Sequence, residues 1–394
     1  MHNVHSQIQY FKFNKRPEKF SPFFRIFPHK SGKYRFYSTL LLFLLLAIWC
    51  LRTRTENIRR MDTVQLFDLI INSVAPFCII LSIIRWNAQK RKIQRLFEIL
   101  TVINREVHRY KFKTRYKLKM KLACMQLLIL SFIGCEVVVS LWTSGFHFFI
   151  KYIPAYFNVY TVVLVILQYD FIITILQQDC VALNDKLSEL SVQLITYQKV
   201  TSNTLRPILI QNIDIKFFSR NYKRIQDAVG LINEIFGVQI LLTFAIIMVF
   251  ICRTLNIILN FLLNFAHDNR SRIPLTVTNL WGSTVFVCFG FIISATCSSA
   301  VYAMKQTSFI VWKVLVSLRS VNSGDKHKTS IFEEDLILFA AISTNGMATF
   351  SAAGFYNVDF SVLFSMLSFI SAFVILSMQL FSSVVTDRNA HFKH

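Results

Sequence analysis

Near its end the chain runs SAFVILSMQLF, Ser371 to Phe381, an apolar stretch that carries one glutamine, Gln379. Laid on a helix at 100° per residue, Ser361, Ser365, Ser368, Ala372, Ile375, Gln379 and Ser383 fall within about 40° of one line. A stripe of small and hydrogen-bonding residues does one of two things in a membrane. It makes a tight helix–helix seam, or it lines a water-filled pore in which a ring of Ile375 closes by dewetting. The pattern alone leaves both open. Glu136 lies well inside another apolar stretch, where an acid is costly and therefore a functional candidate, here for tuning a cationic or hydroxylated ligand. Asp170, inside a further stretch, is expected to partner inner cations. Enzyme chemistry has no support: the nine histidines are scattered, and HExxH and a Gly-rich phosphate loop are both missing. The eight cysteines form no CxxC or Cys/His cluster and read as buried hydrophobes, so neither metal nor cofactor is expected.

The elements that carry these residues follow from composition. Of 394 residues 54% are hydrophobic and 16% charged, with a mean hydropathy of +0.47. Soluble domains hold about 25% charged residues, so this is an integral membrane protein. Seven runs reach the roughly 17–25 residues that cross a bilayer, or nearly so: 37–51, 64–86, 122–145, 152–176, 229–252, 277–300 and 359–384. The net charge of +22 is assigned to loop lysines and arginines rather than to nucleic-acid binding. With the N-terminus inside, the segments 1–36, 87–121, 177–228 and 301–358 hold 32 Lys plus Arg and the outer segments 10, a positive-inside pattern. Asn269, in the one Asn-x-Ser/Thr sequon, then falls outside, where glycosylation occurs. Residues 1–36 are basic and aromatic without an early apolar core, so no cleavable signal peptide is expected.

The expected architecture is therefore all-α: seven transmembrane helices, a cytoplasmic N-terminus, an extracellular C-terminus and a cytoplasmic helical anchor region. Residues 1–36 form a cytoplasmic segment, and 37–300 a six-helix region with cytoplasmic extensions at 177–228. Residues 301–358 form the anchor segment, with an inner helix over 331–350 and a break at Gly354. The last helix, 359–384, leads to an extracellular tail, 385–394. The cations that alternate from Lys111 to Lys121 coat every side of a helix and suit anionic headgroups, at about 1 kcal/mol each.

The segment 346–384 resembles the C-terminal signature of insect gustatory receptors. Their last helix carries Thr-Tyr, five apolar residues, then Gln-Phe; here stand Ala372-Phe373, VILSM and Gln379-Leu380. The preceding SAAGFYNVDFSVLFSML is also similar. The resemblance implies a homotetrameric, ligand-gated, non-selective cation channel in the plasma membrane of chemosensory neurons, with a heteromer of related receptors as a variant. The stripe from Ser361 to Ser383 would then line the pore, while Phe373 and Leu380 would couple ligand binding to gating. Sugar-receptor relatives tend to place Glu after the motif Tyr; Val374 stands here, which favours a bitter or other non-sugar tastant.

The resemblance puts a ligand pocket in the outer half of the first six helices. There the topology supplies Asp68, Asn72, Glu136, Trp142, Tyr156, Tyr160, Gln239, Thr243, Asn279 and Trp281. Trp and Tyr at span ends also serve as interface belts. The alternative is a seven-helix signalling receptor of the G-protein-coupled type, although Asn-Pro-x-x-Tyr and Asp-Arg-Tyr are lacking and the orientation is reversed. A transporter is disfavoured because no inverted repeat is evident.

Overall fold

The computed structural model describes residues 77, 81, 84, 85, 88–107, 114–200, 215–263, 273–319, 330–346 and 348–391. The chain divides into two compact units, 1–50 and 51–394, and every described residue belongs to the second. The first expected span, most of the second, Asp68, Asn72 and Asn269 lie outside the described residues.

Six helices have defined bounds among the described residues: α1 (Lys90–Val107), α2 (Thr114–Val200), α3 (Ile215–Leu263), α4 (Ile273–Arg319), α5 (Ser330–Asn345) and α6 (Phe360–His391). Between α5 and α6 two strands of two residues, β1 (Ser351–Ala352) and β2 (Tyr356–Asn357), pair antiparallel. The fold is otherwise all-α. Among the described residues, five helical segments are long and apolar enough to cross a membrane: Met120–Thr143, Val159–Gln193, Ile215–Leu259, Thr276–Ser317 and Phe360–Gln379.

Gly145 breaks α2 into two arms, with a φ of 76° that glycine adopts at little cost. The arms run antiparallel. Ser140 on one meets Tyr156 on the other at 3.0 Å, and Lys121 meets Asp170 at 2.8 Å. The reversal needs almost no loop, so the expected outer segment 146–151 is helical.

The helices are far longer than a bilayer is thick. At 1.5 Å per residue, the 49 residues of α3 extend about 74 Å, against a hydrocarbon core of roughly 30 Å. The surplus of α2, α3 and α4 forms, with α1 and α5, a second packed zone at the end opposite Gly145. In α1, Ile93, Leu96, Leu100, Ile103 and Val107 recur at alternating intervals of three and four and are all buried; α1 packs on α3. Half of the segment expected as a basic loop, 87–121, is thus an amphipathic helix. Burying each of these side chains contributes about 1.5–3 kcal/mol, which fixes α1 whatever its charges do.

Two helix boundaries differ from expectation. The helix expected over 331–350 spans Ser330–Asn345. Gln226 of α3 donates to the carbonyls of Ile342 (3.1 Å) and Gly346 (2.7 Å), capping its end, and the chain then turns into β1. The last helix begins at Phe360 and runs to His391, past the expected limit at 384. Residues 385–391 contain no Gly or Pro to stop it.

Candidate functional site

Asp359 starts the last helix, accepting hydrogen bonds from the backbone N–H and hydroxyl of Ser361. Val362 and Met366 are buried, and Leu363, Ile370, Phe373, Val374 and Ser377 are half-buried. On the helical wheel these seven lie between about 100° and 220° from Ser361. They face α4 and α3; Phe360 meets the ring of Phe291 at 5.5 Å and Leu363 lies beside Gly290. The stripe occupies the other side. Ser361, Ser365, Ser368, Ala372, Ile375 and Gln379 are all exposed. Ser365 and Ser368 donate to the carbonyls of Ser361 and Phe364, both at 3.0 Å, which leaves Gln379 as the strongest hydrogen-bonding group on this face. Only 11% of the most apolar window of α6 is buried, against 61% for α3. The stripe therefore makes no seam with the other described helices. The side chains of Leu380 and Ser383 lie outside the described residues.

A strap, residues 346–359, joins α5 to this helix. Val358 N–H donates to Phe350 O (2.7 Å) and Phe355 N–H to Ala352 O (3.0 Å), and the turn passes through Ala353 and Gly354 with φ of 54° and 79°. The side chain of Asn233 donates to Thr349 O (2.7 Å) and accepts from Ser351 N–H (3.0 Å). At Gly237 a methyl group would meet Ala353 N at 2.7 Å, so helix and strap touch backbone to backbone. Tyr356 packs edge-on against Phe244, and burial pushes its phenol up to about 12, so it stays neutral.

Where α3 and α4 approach the Gly145 end, Arg253 donates to the side chain of Asn279. Thr254 donates to Asn279 O at 3.4 Å, and Ser283 donates to Thr254. Phe132, Phe250 and Phe286 close this region with rings 4.7–6.2 Å apart.

The ligand candidates do not form one cluster. Asn279 is fully buried in the network just described, while Trp281 and Trp142 are exposed, Trp142 at 78%. Glu136 and Tyr160 are half-buried on the two arms of α2. Gln239 and Thr243, both buried on α3, lie fourteen and ten residues inward of Arg253, about 21 and 15 Å along the helix.

Deeper in the bundle Asp170 has the inner cation that the sequence led us to expect, although the sequence did not show which one. Asp170, fully buried, accepts from Lys121 (2.8 Å) and from Thr296 (2.7 Å) through the same oxygen. Its other carboxylate oxygen is buried without a hydrogen-bond partner. Lys121 also donates to the Thr296 hydroxyl at 3.1 Å. Lys121 ends an alternating run of cations, and nothing in that run distinguishes it from its neighbours.

Residues 20–380 match the model of the 7tm chemosensory receptor family. The chain belongs to that family. The receptor is accordingly a multi-pass membrane protein and not an enzyme. Its fold is similar to that of the insect olfactory receptor OR5 from Machilis hrabei, with a TM-score of 0.60 and 13% identity over 90% of this chain and 93% of that one. The same figures hold for OR5 in complex with eugenol. No curated protein matches the receptor sequence.

Proposed function

We propose that the receptor is a gustatory, ligand-gated, non-selective cation channel in the plasma membrane of chemosensory neurons. Four copies set their last helices around a shared aqueous path, and a small bitter or other non-sugar tastant opens it. The observation that carries this reading is the direction of the stripe on α6. Seven packed residues hold the helix to its own chain, and the line from Ser361 to Gln379 points the opposite way. An exposed carboxamide in hydrocarbon costs several kcal/mol; facing water along a common axis, it costs nothing. Ile375 then forms the apolar ring that closes the path.

Other features support assembly from several copies. Tyr302, Phe309 and Val316 recur every seventh residue on α4 and are 68%, 70% and 63% exposed, a stripe of the kind that covers itself against a second subunit. The solved relative bound to eugenol supports a small-molecule ligand, and the Gly145 end, where Glu136, Tyr156 and Asn279 lie, is where we place the pocket. There Glu136 tunes a cationic or hydroxylated tastant.

Expressing the receptor alone and screening sugars and plant alkaloids by calcium imaging tests the reading. A tastant-evoked calcium rise that Gln379→Ala alters in conductance or gating supports it. Silence alone but current with a related subunit points to a heteromer. An N-terminal tag exposed on intact cells would favour the G-protein-coupled alternative and place the N-terminus outside.

A further inference from the structure

We infer that one face of α3, formed by Gln226, Asn233, Gly237 and Phe244, is the lever that passes movement of the bundle to the last helix, with Asn233 and Gly237 as its positioning residues. The inference rests on the channel reading above. These four residues are spaced by seven, four and seven, which places them within about 20° of one line. Each holds a successive point of the chain leading into α6. Gln226 holds the end of α5 through Ile342 O and Gly346 O, and Asn233 holds β1 through Thr349 O and Ser351 N–H. Gly237 admits the backbone of Ala353, and Phe244 packs on Tyr356.

Beyond the strap, α6 is held to α3 and α4 along one packed face, and the rest of its surface is exposed, so the strap fixes where its first turn sits. Helix α3 runs unbroken over its 49 residues with no proline to kink it. Its far part carries Phe250, Arg253 and Thr254, which join the aromatic and polar contacts near the Gly145 end. A shift there is delivered through the docking face to the strap, and so to the first turn of α6. Nothing in the pore itself is needed for this step.

The test uses the full-length receptor without any tastant. Hydrogen exchange is followed on the protein in lipid nanodiscs, and basal current carried by Na⁺ is measured in cells and divided by surface receptor number. Asn233→Ala removes two side-chain bonds to the strap; Gly237→Ala keeps them and pushes the strap away, so it stands in should the first variant fail to reach the surface. The expected result is faster exchange in both the strap and the first two turns of α6, with current per receptor changed about tenfold, the size of one to two neutral hydrogen bonds. Faster exchange confined to 346–359 overturns the inference whatever the current does. Exchange that spreads into α6 with an unchanged current, while the wild type conducts, also overturns it, since the strap is then only structural. A wild type silent at rest is opened with a tastant found in the screen above and the comparison repeated; if wild type and variants then all pass no current, with or without a related subunit, the channel reading itself falls and takes the inference with it.

Discussion

Asp170 carries an unusual load for a carboxylate at bilayer depth. One oxygen takes both the Lys121 ammonium and the Thr296 hydroxyl, while the other has no partner. Thr296 has a single proton for two acceptors, because Ile292 O also lies 2.8 Å from its oxygen. Lys121 is one-third exposed and Asp170 fully buried, so removing the lysine leaves a buried carboxylate uncompensated, at less than the roughly 3–5 kcal/mol of a wholly enclosed pair. Lys121→Met is therefore expected to lower the Tm of the detergent-purified receptor by several degrees. The double variant Lys121→Met with Asp170→Leu should recover most of that loss. An unchanged Tm in the single variant would show that the pair contributes nothing. That Asp170 would partner an inner cation was legible in the sequence, since an acid inside a span needs a partner. The identity of that cation was not: Lys121 is 49 residues away, and the contact exists only because Gly145 folds the two arms of α2 together.

Among the elements, α1 shows how charge can mask a helix. Its apolar residues, spaced three and four apart, were in plain view, yet the lysines and arginines around them read as a loop that orients the chain. Burial settles the matter. Ile103 is wholly enclosed, so Ile103→Ala should destabilise the receptor by about 2–5 kcal/mol, seen as a lower Tm and reduced surface expression. Arg95→Ala, at an exposed position on the same helix, should leave both unchanged. The strap was the least legible element. Strands of two residues leave no periodic signal, and the bonds that hold them come from Asn233, more than a hundred residues earlier. The last helix was the most legible: its stripe, its start near Asp359 and its apolar faces all followed from spacing. Gln239 and Asn279 looked like neighbours only because both are polar residues in spans; the length of α3 keeps them on different levels.

Taken as a whole, a receptor whose α6 lines an aqueous path requires more than one copy. The exposed Tyr302, Phe309 and Val316 stripe and the exposed face of α6 are both left bare by a single chain. Phe309→Glu places a charge on the first of these surfaces. It is expected to shift the receptor from tetramer towards monomer by native mass spectrometry of the purified protein, with the Tm of the monomer unaltered. A tetramer of undiminished abundance would remove that surface from the interface. Whether the exposed face of α6 meets water is read most directly from one set of cysteine variants. Rates of reaction with a charged, membrane-impermeant thiosulfonate are compared for Gln379→Cys on the stripe and for Leu367→Cys and Phe369→Cys, exposed at about 120° and 80° from it. A common aqueous path lined by α6 predicts that Gln379→Cys reacts at least tenfold faster than either and that its modification blocks cation current. Equal rates at the three positions, or modification that leaves the current untouched, would contradict it.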